Sequence, residues 1–63
     1  MMKVQYEITV YAEDHEILAT AHGTRNDYAV PTRLLDQLGK RYGSCLVVYH
    51  DLTNGFKAEK SFG

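Results

Sequence analysis

The sequence predicts a small α+β domain with the element order β-β-α-β-β, and three features predict it. Residues 3–12 alternate apolar and polar side chains, as a half-buried strand does. Behind Pro31, the residues Leu34, Leu35, Leu38 and Tyr42 recur at the spacing of one helical face. Asn54-Gly55 separates two short strand-like runs, and Asn-Gly between such runs is the strongest short-range hairpin signal. Together these give a four-stranded, mainly antiparallel sheet with one helix packed on one face. If the helix spans the sheet, the third strand runs antiparallel to the first and the strand order is 2-1-3-4. The alternative sets the third strand beside the second, in parallel.

In the first strand Val4, Tyr6, Ile8, Val10 and Ala12 share one face, with Gln5, Glu7, Thr9 and Tyr11 on the other. A polar break at residues 13–16 is followed by a second strand over residues 17–22. A two-residue loop at Asp14-His15 places Ala12 opposite Ile17 and Ile8 opposite Ala21. That register puts Ile17, Ala19 and Ala21 in the core and Tyr11, Leu18, Thr20 and His22 outside.

Gly23, Asn26 and Asp27 make a polar connector. Pro31 fits the first position of a helix over about residues 31–42, and Gly43 supplies its stop. Gly39 in the last turn costs roughly 1 kcal/mol relative to alanine, a cost that close packing on the sheet would explain.

The run Cys45-Leu46-Val47-Val48-Tyr49 has no polar interruption, so it reads as a strand covered on both faces. With a type I′ turn at Asn54-Gly55, Thr53 faces Phe56 and Tyr49 faces Lys60. Cys45, Val47, Tyr49, Phe56, Ala58 and Phe62 then face the helix. Leu46, Val48, His50 and Leu52 face away with Lys57, Glu59 and Ser61. One short helix covers only one face, so the second cover must come from another copy of the chain or from a different protein.

Sixty-three residues make one domain, 1–63, which buries only about 60% of the surface its unfolded chain exposes. A single cysteine cannot form an internal bridge, so a partner subunit is the remaining source of extra stability. The Met1-Met2-Lys3 start leads straight into a polar-interrupted strand, and the expectation is a cytoplasmic protein with neither export signal nor membrane contact.

A formal charge of -1 argues against nucleic-acid binding by bulk electrostatics. The distribution is uneven: residues 3–16 net -3 from Lys3 against Glu7, Glu13, Asp14 and Glu16, while Arg33, Lys40 and Arg41 against Asp36 give the helix +2.

Chemistry-bearing constellations are sparse. Cys45 is the one nucleophile worth weighing, with His15, His22 and His50 as bases and Asp51 as an orienter. Cys45 and His50 lie an odd number of residues apart on one strand and so point to opposite faces. Cys45 therefore reads as a small buried apolar residue, and no catalytic residue, cofactor or metal is expected. No C-x-x-C, H-x-x-x-H, calcium loop or phosphate loop is present. Tyr11, Tyr28, Tyr42, Tyr49, Phe56 and Phe62 were they on an open sheet would suit base stacking, but most fall on the core faces.

In its shortness and lack of cofactor signatures, the chain resembles the small accessory proteins of phages and mobile elements, which work by binding a host protein. The resemblance implies a non-enzymatic protein-binding module, such as an anti-CRISPR or another inhibitor of a host defence or transcription machine, acting in the host cytoplasm. The expected partner surface is the outer sheet face, Tyr11, Leu18, Leu46 and Val48, as a homodimer or a complex with another protein. The alternative is a small dimeric nucleic-acid-associated regulator that presents the basic face Arg25, Arg33, Lys40 and Arg41 to phosphates.

Overall fold

The computed structural model describes residues 3–27 and 29–63. Its elements are β1 (Val4–Tyr11), β2 (Ile17–Arg25), α1 (Thr32–Tyr42), β3 (Cys45–Asp51) and β4 (Lys57–Phe62). They form a 4-stranded sheet in the order β2-β1-β3-β4, antiparallel at every pairing. Of the two arrangements open to a sheet-spanning helix, this is the 2-1-3-4 order, with β3 antiparallel beside β1 rather than parallel beside β2.

Ile8, Val10, Cys45, Val47 and Tyr49 form the buried sheet side of the core, closed by Leu35 of α1. Leu34, Leu38 and Tyr42 pack at its margin. Val47 and Tyr49 thus face the helix, as expected from the side-chain sets of the second hairpin. α1 lies chiefly over β3 and β4, and Lys60 of β4 pairs with Asp36 of the helix. The helix starts one residue later than the sequence suggests, because Pro31 serves as its N-cap. Gly43, at φ 73, ends it by donating its N–H to the Gly39 carbonyl at 2.9 Å.

Gly39 is buried beneath the Phe62 ring, which occupies the space a Cβ would need. Its cost in helix propensity is therefore offset by close packing. Gly39→Ala, a stabilising change in an open helix, is expected here to destabilise by about 1–2 kcal/mol through overpacking. Chemical denaturation of the variant checks the sign.

The first hairpin departs from the predicted two-residue loop. His15 N–H donates to the Ala12 carbonyl at 2.9 Å, and Ala12 N–H to the Glu16 carbonyl at 2.7 Å. With His15 at φ 70, loop 13–15 is of the three-residue class, a turn followed by a left-handed residue. The Asp14 carboxylate accepts the Glu16 N–H at 3.0 Å and so favours this form. A bulge between Val10 and Tyr11 absorbs the extra residue, so Ile8 still pairs with Ala21 while Tyr11 pairs with Ile17. Ile17 is consequently not a core residue: it is 58% exposed. Ala21 is also exposed, because α1 lies chiefly over β3 and β4 and a hollow separates Leu38 and Tyr42 from this part of β2.

The second hairpin also departs from the expected type I′ turn. Asp51 is 1% exposed, and its carboxylate accepts the N–H groups of Thr53 at 2.8 Å and Asn54 at 3.1 Å. Gly55, at φ 82, donates to the Asp51 carbonyl at 2.8 Å. This cap wraps loop 52–55 around Asp51, and Asn54, whose φ is not positive, cannot complete a type I′ turn. The loop also bonds β1, with Leu52 N–H donating to the Gln5 carbonyl and Gln5 N–H to Thr53 Oγ1. Tyr49 therefore pairs with Ala58 and Val47 with Lys60. The slip from the predicted register is even, so every side chain keeps its face. Phe56 alone is displaced: it precedes β4 and is 50% exposed.

Tyr49 is 1% exposed, and its hydroxyl has no hydrogen-bond partner among the described residues. Its ring centroid lies 5.6 Å from that of Tyr6. Burial, then the Asp51 carboxylate, holds its pKa above the ordinary tyrosine value, with Arg25 opposing. An unpaired buried hydroxyl costs about 1–3 kcal/mol, so Tyr49→Phe is expected to stabilise the fold. A raised folded-state pKa contributes stability that is whole below about pH 10 and lost as the pH climbs through the folded value. Wild-type stability is thus expected to fall above pH 10 more steeply than that of Tyr49→Phe, which paired urea titrations across that range check.

Candidate interaction surface

Among the described residues, none forms a second layer on the face of the sheet opposite α1. Antiparallel pairing sets its residues in rows across the strands, since directly opposed residues share a face. Tyr11 stands between Ile17 and Leu46, and Leu46 faces Ser61. In the next row Thr9 lies between Thr20 and Val48, with Glu59 beyond. The third row runs His22, Glu7, His50, Lys57. Rows are about 6.7 Å apart along the strands and neighbouring strands about 4.8 Å apart across them.

The surface is therefore divided. Tyr11, Leu46 and Val48 are half-buried, while Ile17 and Leu18 are 58% and 41% exposed. The bulge, by setting two residues of β2 against one of β1, brings Ile17 and Leu18 together beside Tyr11. Thr9 is 8% exposed, walled by its row neighbours. At the other end, His22 Nδ1 lies 3.8 Å from Glu7 Oε2, both side chains well solvated, a pair worth little in stability.

All four residues predicted for this face, Tyr11, Leu18, Leu46 and Val48, are brought together. Ile17 was missed, and it had a visible signal: two successive large apolar residues at a strand start break the alternation, as a bulge does.

The predicted basic face divides into two. Arg25 and Arg33 line one hollow of about 410 Å³ with Pro31, Thr32 and Leu34. Arg25 also lies 3.6 Å from Asp27. Lys40 and Arg41 sit in the last turn of α1, about 10 Å further along the axis, where cations suit the helix dipole.

Cys45 is 5% exposed on the helix side, and His50 lies on the opposite face. His15 shares a hollow of about 240 Å³ with Cys45, but no hydrogen bond joins them among the described residues. Among those residues, no three His, Cys, Asp or Glu side chains converge as metal ligands, and no helix is long and apolar enough to cross a membrane. Of the aromatics that would suit base stacking, Tyr11 alone among the described residues is on the open face. Tyr28 lies outside the described residues.

No protein family, curated protein or solved structure matches this chain.

Proposed function

We propose that the chain is a non-enzymatic protein-binding module that docks a partner protein on the open face of its sheet. The observation that carries this reading is the apolar corner of Tyr11, Ile17, Leu18, Leu46 and Val48, left without a covering layer on a domain that has few apolar residues to spare. Protein contacts use such a pattern, an apolar centre with a polar rim. Here the rim is the row of Glu7, His22, His50 and Lys57. The complementary partner surface has an apolar ridge flanked by carboxylates that meet Lys57 and the two histidines. The likeness to small phage and mobile-element proteins extends the reading to an inhibitor of a host defence or transcription machine, acting in the cytoplasm.

A photo-crosslinking residue placed at Val48, in the cell that makes the protein, is expected to yield one discrete protein adduct. The same residue at Gln37, exposed on the helix, is expected to yield none. Adducts from Gln37 alone would overturn the proposal.

The convergence of Arg25 and Arg33 at the start of α1 favours a second reading, a nucleic-acid-associated regulator. Phosphate binding there has to weaken steeply between low and moderate salt and be lost in Arg25→Glu with Arg33→Glu. Salt-insensitive binding removes that reading.

A further inference from the structure

We propose that the free edge of β2 pairs antiparallel with β2 of a second copy, making a homodimer with one continuous sheet and both helices on the same side. The strand order leaves β2 and β4 as the edges, and the two are unlike. β4 has 6 residues and carries Lys57, Glu59 and Lys60, charges of the kind that sheets use to prevent edge pairing. β2 has 9 residues, and from Ile17 to Thr24 it contains no Asp, Glu, Lys, Arg or Pro.

The bulge at Leu18 blunts only the start of this edge. From Ala19 to Arg25 the pairing with β1 is unbroken, so the outward N–H and C=O groups form a regular ladder. Ala19, Thr20, Ala21, Gly23 and Thr24 are small enough to let another backbone approach. Because α1 lies chiefly over β3 and β4, it approaches β2 only across a hollow shared by Leu38 and Tyr42 with Ala19 and Ala21, and the outward edge of the strand stays open.

Charge selects a second copy as the occupant. The turn before β2 carries Glu13, Asp14 and Glu16, while Arg25 ends the strand. Lys3, next to the Val4 that pairs with Arg25, keeps that end basic although Asp27 lies 3.6 Å from Arg25. Two antiparallel copies lay the acidic turn of each against the basic end of the other. A parallel arrangement would stack like on like. A two-fold axis near Ala21 keeps the same face of both sheets upward. A single strand pair falls short of the roughly 1,200 Å² of a stable interface, so the dimer forms and dissociates with concentration.

The test is sedimentation equilibrium over a concentration series. Wild type is expected to rise from the monomer mass toward twice that value, and Ala21→Lys, at an exposed position, to stay monomeric with an unchanged circular dichroism spectrum. A cysteine scan over Thr20, Ala21 and His22 in a Cys45→Ala background is expected to give an oxidised covalent dimer, and Ala58→Cys on β4 none. A wild type that stays monomeric to its solubility limit overturns the proposal, as does an Ala21→Lys that still dimerises. Loss of the dimer in Leu46→Lys but not in Ala21→Lys would place self-association on the open face instead. Failure here leaves partner docking on that face untouched, because its crosslink is read at Val48.

Discussion

Ile8→Ala is expected to cost about 2–5 kcal/mol, the range for emptying a large aliphatic site in a close-packed core. Ile8 is 0% exposed and sits in the central strand pair, between Ala21 of β2 and Tyr49 of β3. Its neighbours are held by the sheet and cannot collapse into the space. Domains of this length have total stabilities of about 3–9 kcal/mol at the usual per-residue value. The substitution therefore removes a large share of the margin and lowers the melting temperature by about 10 °C or more at the middle of that range. Ile17→Ala is the matched comparison: the residue type is the same, but at 58% exposure the change is expected to stay within about 0.5 kcal/mol. Thermal melts of the two variants side by side give the answer.

The second large effect is on binding. Leu46→Lys with Val48→Lys is expected to leave the fold standing and to weaken partner binding at least about 30-fold, the equivalent of losing a 2 kcal/mol hot spot. Both side chains point away from the helix, so the core loses nothing. A lysine stem lies along apolar surface while its ammonium reaches water, and a lysine at Val48 faces Glu59 across the β3–β4 pair. The desolvation of two new charges would fall on the complex alone. Titration of the variant against the captured partner, with a melt to confirm folding, measures both halves.

Fold class and the two side-chain sets of β3 were legible because they depend on periodicity, and periodicity is local; the strand order followed instead from the direction of the helix crossover, which left a parallel alternative open. Val47 and Tyr49 inward, Leu46 and Val48 outward, follow from alternation once one helix is assigned to one face. The loops were not legible, because competing hydrogen bonds decide them. Asp51 could be seen in the sequence, but its carboxylate capping the turn at Thr53 and Asn54 depends on the chain already curling there. The same holds for Asp14 and the left-handed His15. The consequences for the site were unequal. An even slip at the second hairpin preserved every face, whereas the bulge in the first moved Ile17 from the expected core to the exposed corner. The grouping of Glu7 with His22, His50 and Lys57 needed three correct registers at once, and the division of the basic residues needed the path of the connector before α1.

Hydroxyl-radical footprinting of the protein, free and bound to the partner crosslinked at Val48, tests the open face as a contact surface most directly. Labelling of Tyr11, Ile17, Leu18 and Leu46 is expected to fall in the complex, while Phe56 and Leu34 keep their free-state reactivity. Protection of Leu34 with undiminished labelling of Tyr11 and Leu18 would contradict it and place the contact on the helix side.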